Sequence, residues 1–417
     1  MTVVADRDGA LNVEGVSLGD ISQRFGTPCY VYSRAALEEA FREFDGAFAG
    51  VPHLVCYALK ANSNLAVLDV FARLGSGFDV VSGGELGRAL AAGGAPDKIV
   101  FSGVGKTEDE LRQGLEVGIL CFNVESASEL DHLERLAGSL GKKAPVSLRV
   151  NPDVDPRTHP HISTGLKESK FGVGIEEALS LYLRAAKMAN IRLRGIDMHI
   201  GSQITALEPY REAAAKLLRL VDELAEAGIH LQHIDFGGGL GIRYRDETPP
   251  SVADYASTIV SLVRGRRESL ILEPGRRLTG NAGLLLTRVI YLKPGPQRNF
   301  AVVDAAMNDL IRPALYDAWH DVRPVRPRGE PTRRWQIVGP VCESADFLAL
   351  DRDLALSEGD LLALLSAGAY SMSMSSNYNS RPRAAEVLVD GETTHLVRSR
   401  ETIAGLFASE SRLPPAR

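Results

Sequence analysis

Between residues 53 and 276, short apolar runs rich in β-branched residues alternate with stretches of helical period, the pattern of successive βα units around a parallel sheet. Eight such runs occur: HLVCYALKA (53–61), GFDVVS (77–82), KIVFS (98–102), CFNVES (121–126), VSLRVNP (146–152), LRGIDMHIG (193–201), HLQHIDFGGG (230–239) and SLILEPGR (269–276). Eight is the number that closes a (β/α)8, TIM-like barrel. Helical signals fill the intervals. SGGELGRALAAGG offers Ser82 as an N-cap with Glu85 three residues on, and stops at a glycine pair. EPYREAAAKLLRLVDELAEAG places Tyr210, Ala213, Ala214, Leu217, Leu218, Val221 and Leu224 on one face and charges on the other, as a helix packed on a barrel wall requires.

After about residue 280 the rhythm changes. LLLTRVIYLKPGPQRNFAVVDAAM predicts two strands around a Pro/Gly turn, and later strand-like runs lack long helices between them. The expected architecture is therefore α/β plus β. A barrel over 33–280 is followed by a β-rich domain over 281–417, which the N-terminal segment 1–32 joins, with CYVYS as a short strand. RPVRPRGEPTRR (323–334) reads as an exposed Pro/Arg loop.

Composition narrows the function classes. The 417 residues are 45% hydrophobic and 24% charged, enough for two sizeable cores. A formal net charge of -6 argues against a nucleic-acid surface. The N-terminus lacks the basic start and apolar core of a signal peptide, and no apolar run approaches a membrane span, so a cytoplasmic location is expected. Cys29, Cys56, Cys121 and Cys342 have neither zinc-site spacing nor disulfide density, and no metal site is expected. Three of them read as small apolar core residues.

Chemistry in such a barrel lies at the C-terminal ends of the strands. There the sequence puts Lys60, Asp79, Ser102, Glu125, Asn151, His199 with Ser202, the glycines of GGGLG, and EPGR. GGGLG alone reads as well as a tight turn. With EPGR at the next strand it falls where barrels hold a phosphate on backbone N–H groups. A phosphate anchor opposite Lys60 points to pyridoxal 5'-phosphate, which needs a lysine for its Schiff base and a charged partner for its ring nitrogen, a part Glu273 can take. A carboxylate there favours the protonated, strongly electron-withdrawing ring, which suits decarboxylation better than racemisation. The plainer alternatives are a salt bridge between Lys60 and Asp79, a hydrogen-bonded core histidine at 199, and a buried structural thiol at 342.

YALKANSN, NPDVDPRTHPHISTGLKESKFG, HIGSQI, FGGGLGI, EPGRRL, MNDLIRPALYDAWH, GPVCESADFLA and GAYSMSMSSNYNSRPRAAEVLVDG together resemble the diaminopimelate decarboxylases, pyridoxal-phosphate enzymes with an alanine-racemase-like barrel (fold type III), over nearly the whole chain. The resemblance implies that Lys60 carries the cofactor and His199 stacks on its ring. It puts Glu273 at the ring nitrogen, with Asp79 also in the cofactor site. Ser202, Gly238, Gly239, Pro274, Gly275 and Arg276 serve the phosphate, with Tyr370 reaching phosphate or substrate. Arg276, Arg312 and Tyr316 hold the distal end of the substrate, Glu343 binds its distal amino group, and Cys342 is the acid that returns a proton. In the family CES reaches the site from the other subunit, so a homodimer is implied. The implied reaction takes meso-2,6-diaminopimelate through an external aldimine and a quinonoid to L-lysine and CO2, the last step of lysine biosynthesis.

A paired guanidinium and carboxylate suit a substrate end carrying both ammonium and carboxylate. A thiol, with an ordinary pKa of about 8.5, suits proton return near neutrality. Two rivals remain at this stage: a decarboxylase of the same fold acting on ornithine, arginine or carboxynorspermidine, and a non-catalytic relative, against which Lys60, Glu273 and Cys342 are all retained. One departure from the family pattern is Ala306, where a glycine is expected and a positive φ would be strained.

Overall fold

The computed structural model describes residues 3–156, 158, 164–165 and 169–414; Arg157, 159–163 and 166–168 of the NPDVDPRTHPHISTGLKESKFG motif lie outside the described residues. The chain divides into two compact units, Leu37–Thr279 and Met1–Ala36 with Gly280–Arg417.

Strands are numbered along the chain. The first unit in sequence opens with a small antiparallel sheet of β1 (Val4–Arg7), β2 (Ala10–Val13) and β3 (Val16–Ser17), followed by β4 (Cys29–Ser33). The other unit contains β5 (His53–Ala58), β6 (Gly77–Val80), β7 (Ile99–Phe101), β8 (Cys121–Val124), β9 (Ala144–Asn151), the two-residue β10 (Val173–Gly174), β11 (Ile191–Asp197), β12 (His233–Asp235) and β13 (Ser269–Leu272). Apart from β10, which pairs only with the last two residues of β9, these eight strands are parallel neighbours in order, and β13 pairs back onto β5, so the barrel is closed.

Side-chain alternation along the strands sorts the barrel interior into layers. Cys56, Val100, Cys121 and Ile271 form one apolar cluster. Two residues further along the chain stand Ala58, Ser102, Asn123 and Glu273, within one residue of the ends of their strands, and two further again, beyond β5 and β8, come Lys60 and Glu125. His233 occupies the apolar layer because its neighbour is Gly195, where a Cβ would sit 2.1 Å from His233 Nε2. Outside, the helix Gly83–Ala91 is capped by Ser82, whose hydroxyl accepts from Glu85 N, while Glu85 Oε2 accepts from Val81 N at 2.8 Å. The helix Glu208–Glu226 buries the expected apolar face, from Tyr210 to Leu224.

The remaining strands are β14 (Gly283–Lys293), β15 (Asn299–Val303), β16 (Val322–Pro324), β17 (Arg333–Val338), β18 (Phe347–Leu354), β19 (Leu361–Leu364), β20 (Ala385–Asp390) and β21 (Thr393–Arg398). β14 and β15 pair antiparallel around the Pro/Gly turn. The main sheet runs β18-β17-β15-β14-β4-β20-β21, with β19 on β14 and β16 on β19. β4 thus sits inside the sheet, antiparallel to β14 and parallel to β20, and all five of its residues are buried. One core of this unit joins Val13, Leu18, Cys29, Val31, Leu284, Leu286, Val387 and Val389. Ala306 is buried and is not among the residues at positive φ, so the methyl there carries no strain.

Among the described residues no helix is long and apolar enough to cross a membrane. Cys29, Cys56 and Cys121 are buried, as small apolar residues are; Cys342 is exposed, so it is not a structural core thiol.

Candidate active site

At the end of β5 the chain tightens into a single 3-10 turn, Leu59–Ala61, which carries Lys60 just beyond the barrel rim. Lys60 Nζ donates to Asp79 Oδ2 at 2.6 Å, and Asp79, on the adjacent strand β6, is fully buried. Its other oxygen, Oδ1, is buried without a hydrogen-bond partner among the described residues. The salt bridge considered from the sequence therefore exists, and it sits at the mouth rather than at the surface.

Glu273 stands one residue past β13, the strand beside β5, and Asp197 and Asp235 end β11 and β12; the three residues' carboxyl oxygens lie within 4.8 Å of one another. Burial, then the charges of Asp235, Asp79 and Asp197, push the Glu273 carboxyl well above the usual range, while Lys60 opposes them. Asp235 is pushed up to about 7, chiefly by burial, although its Oδ1 accepts from Gly237 N at 2.8 Å. Three carboxyls this close cannot all ionise at low cost, so they hold protons between them. Asn123 Nδ2 ties Glu273 Oε1 (3.5 Å) to Ser102 Oγ (3.1 Å).

His199 stands half-buried just past β11. Gly238 N donates to its Nδ1 at 3.1 Å, which assigns the imidazole proton to Nε2. Burial first, then the charges of Lys60 and Arg149, hold its pKa well below the ordinary value, so the ring is neutral. Gly237 and Gly239 adopt φ of 63° and 105°, which favour glycine. Gly239 O accepts from Ile204 N at 2.9 Å, joining this loop to the one that carries Ser202. Pro274 O accepts from Ala58 N at 3.2 Å, fixing the EPGR turn to the start of the lysine turn. Arg276, buried at the start of a short helix, donates to Tyr244 Oη at 2.6 Å and Ser202 Oγ at 3.1 Å.

Lys60, Asp79, His199, Ser202, Gly238, Gly239, Glu273, Pro274, Gly275 and Arg276 are thus all residues of the barrel unit, on strand ends or the loops after them. Arg312, Tyr316, Cys342, Glu343 and Tyr370 belong to the β-rich unit. Within it, Arg312 and Tyr316 begin and end the helix Arg312–Tyr316. Cys342 N donates to Asn379 Oδ1 at 3.1 Å, and Tyr378 Oη donates to Glu343 Oε2 at 3.0 Å, so the two neighbours are held by one later segment. Tyr370 has φ 53°, and Asn379 φ 56°. Such conformations in non-glycine residues gather at functional sites.

Sequence reasoning missed Asp197, Asp235, Asn123, Tyr244, Tyr378 and Asn379. Two-residue spacing offered the signal for three of them: Asp197 precedes His199, Asp235 precedes Gly237 and Asn123 precedes Glu125 by one strand period.

The donor set fits pyridoxal phosphate on two observations: Asp79 Oδ1, on the carboxylate that holds the Lys60 amine, is buried with no hydrogen-bond partner among the described residues, and a proton-holding Glu273 carboxyl can share its proton with a pyridine nitrogen. A closed barrel with a lysine, a neutral histidine and a buried acid at its strand ends defines the class of pyridoxal-phosphate enzymes built on this barrel. The matching family model is that of the pyridoxal-dependent decarboxylase, pyridoxal binding domain, over residues 34–280. Curated relatives named diaminopimelate decarboxylase include that of Pseudomonas aeruginosa, 62% identical over 99% of this chain and 100% of that protein. That of Vibrio cholerae is 57% identical over 98% of each. Among solved structures, diaminopimelate decarboxylase from M. jannaschii in complex with L-lysine superposes with a TM-score of 0.95, at 40% identity over 99% of this chain and 98% of that one. The Helicobacter pylori enzyme complexed with L-lysine gives 0.91, at 44% identity over 94% and 98%. The chain belongs to the diaminopimelate decarboxylase family.

Proposed function

We propose that the chain is a pyridoxal-phosphate-dependent carboxy-lyase that converts meso-2,6-diaminopimelate to L-lysine and CO2. The observation that carries this reading is the arrangement of Lys60 with buried Asp79 and of proton-holding Glu273 on the ends of neighbouring strands. When bound, pyridoxal phosphate supplies an electron-withdrawing ring that accepts the electron pair left behind by departing CO2.

The chain's own residues do the rest. Lys60 would anchor the cofactor through its amine, which Asp79 orients. Glu273 gives its proton a place at the ring nitrogen, and its carboxyl neighbours keep that proton near. His199, neutral and fixed by Gly238 N, offers a flat face to the ring. Backbone at Gly239, Pro274, Gly275 and Arg276, with Ser202, serves the phosphate, and Tyr370 adds to that end. Arg276, Arg312, Tyr316 and Glu343 would bind the end of the substrate that is not decarboxylated and so fix the orientation of the end that is. The Cys342 thiol delivers a proton to the α-carbon after CO2 leaves. Barrel and β-rich domain, with the N-terminal segment in the latter, form the catalytic subunit.

The working unit in this reading is a homodimer, with Cys342 and Glu343 supplied by the second copy, and its location is the cytoplasm. Sedimentation of the purified protein and fractionation of cells test those two points.

The test of the function is CO2 release by the cofactor-loaded protein from meso-diaminopimelate, with ornithine, arginine and lysine alongside. Strong preference for diaminopimelate is expected. Equal or greater turnover of ornithine or arginine would overturn the substrate assignment.

A further inference from the structure

The β-rich unit surrounds Arg312 with a polar arrangement whose centre, His320, the roles above leave unused. Arg312 is buried, and its NH1 group contacts His320 Nε2 at 2.9 Å. His320 is fully buried, and its Nδ1 lies 2.8 Å from Leu365 O. A guanidinium has protons to donate and no lone pair to offer; a carbonyl oxygen has the reverse. Only one arrangement satisfies both contacts: Nδ1 carries the proton and donates to Leu365, and Nε2 accepts from Arg312. The imidazole is therefore neutral and held in a single tautomer.

The backbone behind the ring is fixed as well. Arg352 donates to His320 O at 3.1 Å while its guanidinium lies over the Trp319 ring, 3.1 Å from the centroid, and it also donates to Leu350 O. His320 is thus gripped at both ring nitrogens and at its carbonyl. Such a residue can aim a guanidinium. A carboxylate in the same place would aim it too, but would offset the positive charge that an anionic ligand needs. A neutral acceptor orients without adding an opposing charge.

We propose that His320 is a positioning residue for substrate recognition, aiming the Arg312 guanidinium at the carboxylate of the amino-acid end that is not decarboxylated. The inference rests on the reading of Arg312 as a substrate-binding residue. Its action belongs to binding, not to the chemistry at the other end of the substrate, so it is read in KM.

The experiment is steady-state kinetics on the cofactor-loaded enzyme with His320→Leu, His320→Gln, His320→Glu and Arg312→Lys, each checked for cofactor content and melting temperature. Hydrogen bonds to charged groups are strong enough that His320→Leu should raise KM for meso-diaminopimelate about tenfold to a hundredfold. kcat should change far less. Inhibition by L-lysine, which retains the recognised amino-acid end, should weaken in parallel. His320→Gln, whose amide can donate to Leu365 O and accept from Arg312, should restore most of the affinity. His320→Glu, which accepts but adds a charge, should not. A folded His320→Leu enzyme with unchanged KM, or a loss confined to kcat, would overturn the proposal. So would His320→Glu matching His320→Gln, and that contrast decides the matter if His320→Leu does not fold. Unchanged KM in Arg312→Lys would instead remove the reading of Arg312 itself.

Discussion

Lys60 Nζ and Asp79 Oδ2 lie 2.6 Å apart at the ends of two adjacent parallel strands, the lysine side chain about one third exposed and the aspartate completely buried. Such a pair is a geometric device: the carboxylate fixes where the amine stands. Lys60→Ala is expected to abolish covalent retention of the cofactor with the fold intact. Asp79→Asn should leave attachment possible and lower turnover about tenfold to a hundredfold, from the loss of a charged hydrogen bond. Mass spectrometry after borohydride reduction reads the first. Cofactor still fixed to the Lys60→Ala chain would place the reactive amine elsewhere.

Glu273 holds its proton because it is buried and because Asp235, Asp79 and Asp197 surround it. Glu273→Gln should therefore lower kcat by about a hundredfold or more, in the range seen when one charge-stabilising group is removed from a reacting site. Asp235→Asn removes one neighbouring charge and should lower the Glu273 pKa, visible as a shift in the pH at which the bound cofactor's absorption changes. No shift in that titration would separate Asp235 from the ring nitrogen.

A Cβ on Gly238 would lie 2.1 Å from Glu273 O, a backbone atom that cannot step aside alone. Gly238→Ala should cost about 1–3 kcal/mol of stability by overpacking. It should also weaken cofactor binding, because Gly238 N holds His199 and Glu273 sits on the opposing backbone. Urea unfolding of the apoprotein and a cofactor titration check both. Wild-type values in both would mean that the strand ends are pliable.

The exposed Cys342 is held by Asn379 at its backbone nitrogen, and Glu343 by Tyr378. Cys342→Ala should reduce kcat about a hundredfold to ten-thousandfold, the usual span for loss of a general acid, with cofactor binding unchanged. Asn379→Ala should show a smaller loss in the same parameter. Undiminished turnover in Cys342→Ala would assign the returning proton to another group.

Asp309 is buried, and burial, with Asp304, pushes its pKa up to about 6 against the contacts from Ala306 N, Arg381 and Arg400. The folded chain then holds a proton that the unfolded chain releases near pH 4. This contribution to stability is fully present below about pH 4 and is lost as the pH rises through about 6. It amounts to about 3 kcal/mol at most. Urea midpoints between pH 4.5 and 7.5 should fall more steeply for the wild type than for Asp309→Asn. Parallel slopes would show that Asp309 ionises normally.

All eight barrel strands were legible because each is short, apolar and bounded by turn residues, and because residues such as Tyr210 and Leu217 mark the helices between them. The positions of Lys60, His199 and the glycine-rich turns just past strand ends were legible for the same reason, since each follows directly on one of those apolar runs. Asp197 and Asp235 were not, since a lone acidic residue inside an apolar run gives no sign of the two others it will meet from strands distant in sequence. His320 illustrates the limit more sharply. It closes the MNDLIRPALYDAWH stretch, but its contacts with Arg312 and with the carbonyl of Leu365, 45 residues on, are made by the packing of the unit and are not written in that stretch.

The position of β4 bears on how the chain is made. Cys29 pairs with Ala385 and with Leu286, so a strand completed early in synthesis must wait for two others, one of them near the end of the chain. The barrel segment leaves the ribosome whole before that happens and can fold as a unit. Until β20 emerges, β4 presents an open hydrogen-bonding edge with five core side chains, the kind of surface that chaperones shield and that aggregation exploits. Translation that stalls between β14 and β20 would therefore leave a finished barrel attached to an adhesive strand.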